Sequence, residues 1–123
     1  SAISYEELII FRLHLTDCVY SRMYLDAVQN YSYLEEQLNE YRVGLVLLDL
    51  DNRSLEVRRD KDPRGTSKHT DRSLPALMSK RDLYRQEFER SQINRKLLVD
   101  NSDGVRSPED QVAHLLQWWK EIE

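Results

Sequence analysis

Leu8–Ser21 reads L-I-I-F-R-L-H-L-T-D-C-V-Y-S, and its division into strand and helix decides the fold. The apolar run Leu8–Phe11 has the pattern of a strand buried on both faces. Beyond it, Thr16 or Asp17 can cap a helix in which Val19, Met23 and Ala27 share one side and Asn30 marks the end. Arg12 and His14 stand between the two. An α/β protein presents chemistry at the carboxyl edge of a parallel sheet in this way, with polar side chains where a strand leaves the sheet and a helix starts.

Two further runs, Val43–Leu50 and Lys96–Asp100, also read as buried parallel strands. Helical periods fill the gaps. From about Tyr31 to Tyr41, Leu34, Leu38 and Tyr41 fall together, with Glu35, Glu36 and Glu40 turned to water. Asn52 or Ser54 starts a short helix through Leu55, Val57 and Arg58. A long helix from about Ser73 to Gln92 repeats Leu74, Leu77, Met78, Arg81, Tyr84 and Phe88 at threes and fours, with Pro75 tolerated in its first turn. Ser107-Pro108-Glu109-Asp110 opens a closing helix whose expected buried stripe is Val112, Leu115, Leu116, Trp119 and Ile122. Strands separated by helices of this length imply crossover connections and a parallel sheet, so the expected class is α/β.

The 123 residues are expected to form a single domain, 1–123, burying roughly two thirds of the unfolded surface. A net charge of −4 argues against duplex DNA or an anionic membrane as partner. With one cysteine, Cys18, there is no internal disulfide and no cysteine zinc cage, which points to a reducing cytoplasm. No apolar run approaches the roughly 18 residues that span a bilayer, and Ser1–Glu7 lacks the basic start of a signal peptide.

Arg12, His14 and Asp17 can converge on one pocket. Side chains two apart on a strand share a side, Asp17 lies at the helix start, and guanidinium and helix amino terminus both favour an anion. The blander reading pairs Arg12 with a surface carboxylate and makes His14 structural. The segment 60–72, D-K-D-P-R-G-T-S-K-H-T-D-R, has no apolar anchor and reads as an exposed lid-like loop. Its arginines, with Arg58 and Arg59 just before it, could close over a transferring phosphoryl group or simply keep the loop solvated. Asp49 and Asp51 could hold a metal, although carboxylates there more often cap the next helix. Tyr20 and its neighbouring tyrosines could stack on a base or be half-buried core. The histidines and Cys18 form no metal signature, and no metal ligands are assigned.

The stretch F-R-L-H-L-T-D-C-V-Y-S resembles the strand-to-helix motif of the thymidylate kinase-like nucleotide kinases, approximately D-R-x-H-x-[ST]-[DE]-x-V-Y. Arg12, His14, Thr16, Asp17, Val19 and Tyr20 fall on it in register, and Phe11 stands where the family has an acid. The downstream order is similar too: a strand at Val43–Asp51, an arginine-bearing helix and lid at Arg58–Arg72, Tyr84 and Phe88 on a long helix, a short strand at Leu97–Asp100, and a final helix after S-P-E-D.

The resemblance implies a three-layer P-loop-kinase-like sheet and transfer of a phosphoryl group from ATP, with magnesium, to a deoxynucleoside monophosphate such as dTMP. By similarity Arg12, His14, Asp17 and Tyr20 would bind the acceptor, Arg58 and Arg64 would serve the transferring phosphates, and Arg59 would contact the donor. The sequence has no G-x-x-x-x-G-K-[ST], so the fold is expected to be incomplete and not competent by itself. Two expectations follow: a homodimer, or a chain supplying the phosphate-loop half. The alternative function is a small non-catalytic interaction or regulatory module derived from such a kinase.

Overall fold

The structure is a computed structural model that describes residues 7–11, 14–61 and 73–122. Arg12, Arg64 and positions 62–72 of the lid-like segment lie outside the described residues. The chain runs β1 (Glu7–Phe11), α1 (Leu15–Tyr24), α2 (Ser32–Asn39), β2 (Arg42–Asp49), α3 (Asn52–Lys61), α4 (Leu74–Arg90), β3 (Arg95–Asp100) and α5 (Pro108–Glu121). The class is α/β, as expected. The three strands are all parallel in the order β1-β2-β3, with Leu8 opposite Val43, Ile10 opposite Leu45, and Leu45 in turn opposite Lys96.

Alternation along β2 sets the layers. Val43, Leu45 and Leu47 are buried in one cluster with Leu15 and Val19 of α1, Tyr84 and Phe88 of α4, and Ile93. The intervening Gly44 faces α5, and a Cβ there would lie 2.7 Å from Trp119 and 3.0 Å from Trp118. Helices therefore cover both faces of the sheet. Arg42, at the start of β2, lies 4.4 Å over the Trp119 ring and donates to the carbonyls of Trp119 and Ile122, tying the end of α5 to the sheet.

Several local expectations are corrected. α1 starts one residue before Thr16, with His14 at the cap position, and stops at Tyr24 instead of near Asn30. There the Ser21 carbonyl accepts from the amides of both Leu25 and Ala27, and Asp26 turns the chain at φ +47°, a left-handed conformation that Asp tolerates better than most residues. β2 ends at Asp49, leaving Leu50 outside the strand. Of β3 only Val99 is buried, because its far side has no further strand among the described residues. Leu38 packs against the core, but Leu34 and Tyr41 are exposed.

The closing helix departs furthest from its expected stripe: none of its residues is buried, and Val112 and Leu116 are exposed. α5 is anchored through its tryptophans and through Gln111, which donates to the Asp100 carbonyl and to Asn101 Oδ1, while Val112 and Leu116 stay exposed. Replacing Gly44 with alanine drives a methyl group into the Trp119 ring. We predict a loss of about 1–3 kcal/mol in urea unfolding, the usual cost of overpacking, and a G44A midpoint equal to the parent's would contradict this contact.

Candidate functional site

The carboxyl end of β2 opens into a cavity of about 380 Å³ beneath α3 and the amino-terminal half of α4. Its walls are apolar, from Leu47, Leu50, Leu55 and Leu77, and two cations, Lys80 and Arg81, stand on it. The local sequence explains the shape. Asp51 accepts from the Ser54 amide and so starts α3 immediately after the strand, which also holds its carboxyl below the usual range. Ser73 caps α4 by accepting from the Ala76 amide, which sets Leu77, Lys80 and Arg81 in the first turns.

Each cation is oriented. Lys80 donates to the Tyr20 hydroxyl and lies 4.3 Å over the Tyr20 ring. Arg81 donates to Asn52 Oδ1 and to the Leu50 carbonyl at 3.3 Å and pairs with Asp82 at 3.1 Å. Next to it Arg85 grips Asp49 at 2.8 Å, and that carboxylate raises the arginine's pKa. Pockets that combine apolar walls with a few aimed polar groups are the usual form of a small-molecule site.

Among the described residues, the predicted substrate and phosphate ligands are not gathered in this cavity. Arg58 donates to the Asn101 carbonyl at 2.8 Å and pairs with Asp103 at 3.1 Å, joining α3 to the turn after β3. Arg59 pairs with its neighbour Asp60. Of the described ones, Tyr20 reaches the cavity's edge, through Lys80. His14 and Asp17 are brought together elsewhere: the Tyr31 hydroxyl donates to Asp17, and the Tyr31 ring lies 5.2 Å from that of His14.

Two stripes of α1 account for this separation. Thr16 and Tyr20 meet Tyr84 and Lys80 in the middle turns of α4, whereas Arg22 meets Gln86 and Glu87 nearer its end. His14 is buried on the latter side, with Nε2 2.9 Å from Glu35 Oε2. Glu35 was expected to face water. Instead it is 5 % exposed and accepts from Ser91 Oγ and, at 3.2 Å, from the Gln92 amide. Beside it lies a second cavity of about 250 Å³ reaching Cys18 and Glu87.

Sequence reasoning missed Lys80 and Glu35. Arg81 stood in the apolar repeat of the long helix, where a lone arginine among Leu77, Met78 and Tyr84 was a usable signal. Glu35 had a weaker one, since it lies three residues before Leu38 and shares its face. Among the described residues no group of three or more His, Cys, Asp or Glu side chains is placed to hold a metal ion. No helix among them is long and apolar enough to cross a membrane. Compared with known proteins, the chain matches no protein-family model, no curated protein and no solved structure.

Burial, and then the nearby Glu87 carboxylate, push the Cys18 thiol up from 9.0 to about 11. The unfolded chain thus gives up this proton from about pH 9 while the folded protein keeps it. The associated stability is whole below pH 9 and is lost as pH rises through 11. The urea midpoint is expected to fall over this window and Cys18→Ala to flatten the fall. Rapid alkylation of Cys18 in the folded protein at about pH 8 would contradict the burial.

Proposed function

We propose that the chain is part of a thymidylate kinase-like nucleoside monophosphate kinase and binds a deoxynucleoside monophosphate, dTMP being the first to test. The observation that carries this reading is the cavity at the carboxyl end of β2, with leucine walls for a planar base and sugar and Lys80 and Arg81 for a phosphate. It lies where open α/β sheets bind ligands, outside the carboxyl ends of the strands. The order of motifs from Arg12 to the helix after Ser107 supports the same reading.

In this account Arg12 grips the acceptor phosphate, with Lys80 beside it. Arg58, Arg59 and Arg64 serve ATP, Arg58 by exchanging Asp103 for a phosphate oxygen. Transfer rests on holding two phosphates in line and neutralising the charge that develops between them, so the protein contributes position and cations. Among the described residues the carboxylates at this edge form no group placed to hold magnesium, and Asp49 is bound on both oxygens by Arg85. The glycines supply no phosphate loop either, since Gly44, Gly65 and Gly104 fall in no G-x-x-x-x-G-K-[ST] pattern. Donor phosphates and magnesium are therefore assigned to a phosphate-loop segment outside this sequence or on a partner chain.

Calorimetry with dTMP, thymidine and inorganic phosphate tests the reading. dTMP is expected to bind more tightly than either fragment, Arg12→Ala to abolish the heat, and Lys80→Ala to weaken binding roughly tenfold, the value of one charge-assisted contact. No heat with any nucleoside monophosphate, together with a copurifying protein, would replace this reading with that of a non-catalytic interaction module.

A further inference from the structure

β3 is an edge strand whose outer backbone groups are unspent. The Asn101 amide donates to the Asp49 carbonyl of β2, so by alternation Arg95, Leu97 and Val99 bond inward, and Lys96, Leu98 and Asp100 direct their N–H and C=O groups away from the sheet. Among the described residues no strand lies on that side, and the outward groups of Lys96 and Leu98 have no partner. The Asp100 carbonyl accepts from Gln111 Nε2 at 3.0 Å, which takes one of its two lone pairs. An edge of this kind is a template for another strand, and proteins usually guard it with a charge or a proline in its middle. Here the middle is Leu97-Leu98-Val99, with Leu98 45 % exposed.

The side chains single out the partner. Lys96, Leu98 and Asp100 share the α4 face of the sheet with their β2 neighbours Leu45, Leu47 and Asp49. Lys96 is a cation held by the carbonyls of Phe88, Glu89 and Ser91, with no carboxylate paired to it among the described residues. Asp100 is its opposite, an exposed carboxylate that the Ser102 hydroxyl and amide hold below its usual range. A second copy laid antiparallel along this edge, about a two-fold axis at Leu98, sets Leu98 against Leu98 and each Lys96 opposite the other copy's Asp100. Leu97 then faces the other copy's Val99 on the α5 side, and every outward amide of the strand faces a carbonyl. Sliding the copies by one repeat of the alternation sets a charged end against Leu98; a further repeat sets Lys96 against Lys96 or Asp100 against Asp100. We propose that β3 is a self-association edge, through which two copies of this chain join antiparallel into one continuous sheet. The patch is its own complement, so this contact closes at the dimer.

One strand pair is a small interface, below the roughly 1,000 Å² typical of stable complexes, so the dimer is expected at micromolar concentrations and above. Sedimentation velocity of the full chain, from roughly 1 μM to 1 mM, is expected to show a monomer giving way to a dimer. Leu98→Lys, made at an exposed position, is expected to keep the fold and remove the dimer over the whole range. Asp100→Lys is expected to weaken it at least roughly tenfold by setting two lysines opposite each other. General repulsion cannot produce that result, because the change lessens the net charge of −4. Leu98→Cys is expected to form an interchain disulfide under mild oxidation, the Cα atoms of such a pair lying about 5.5 Å apart. Val112→Cys, exposed on α5, serves as the control and is expected to stay unlinked. A dimer insensitive to Leu98→Lys or Asp100→Lys, or cross-linking of Leu98→Cys no faster than that of Val112→Cys, would overturn the proposal. So would a parent that stays monomeric throughout, which would leave the edge to a strand of another protein.

Discussion

The Glu35 carboxylate is the constraint on which the helical face of this protein depends. It lies in α2, yet its oxygens accept from His14 at the start of α1 and from Ser91 and Gln92 just past the end of α4. Three segments far apart in the sequence are thereby fixed to one buried group. A carboxylate taken from water keeps its place only when its lone pairs are met, and truncating one so met leaves several donors unpaired at once. The same junction explains how a bend as tight as that at Asp26 is maintained: the chain must return α2 to within hydrogen-bond reach of His14.

That junction determines where chemistry can occur. By holding the start of α1 against the end of α4, it turns the Thr16–Tyr20 side of the helix toward Tyr84 and Lys80. The space under α4 is divided in two. One part, at the carboxyl end of β2, is apolar with cations on it, and the other is polar and lined by His14 and Glu35. The motif carrying the resemblance to nucleotide kinases therefore contributes to both sides of α1, with Tyr20 on one and His14 and Asp17 on the other.

The order of elements was legible in the sequence because the signals for it are local. Continuous apolar runs marked the strands, and Ser73 and Ser107, each followed by a proline near the helix start, marked where two helices begin. What could not be read was which charged residues are turned inward. Glu35 is buried because donors more than twenty residues away, before and after it, converge on it, and no period within α2 encodes that. The stripe on α5 failed for the opposite reason. Val112 and Leu116 have the spacing of a buried face, but the described residues place nothing over them. Spacing reports the capacity to be buried, and burial itself depends on a neighbour. Of the candidate site, a place at the carboxyl edge of a parallel sheet was legible, whereas its cations Lys80 and Arg81 and the pairing of Arg58 with Asp103 depend on tertiary placement.

The central claim is that α1 separates the proposed nucleotide site from a His14–Glu35 side, and an amide chemical-shift map on adding dTMP tests it most directly. The account predicts that Leu50, Leu77, Lys80, Arg81 and Tyr84 move and that Gln29, Asn30, Glu35 and Gln92 stay still. Perturbations centred on the latter group, with the carboxyl end of β2 unmoved, would contradict it.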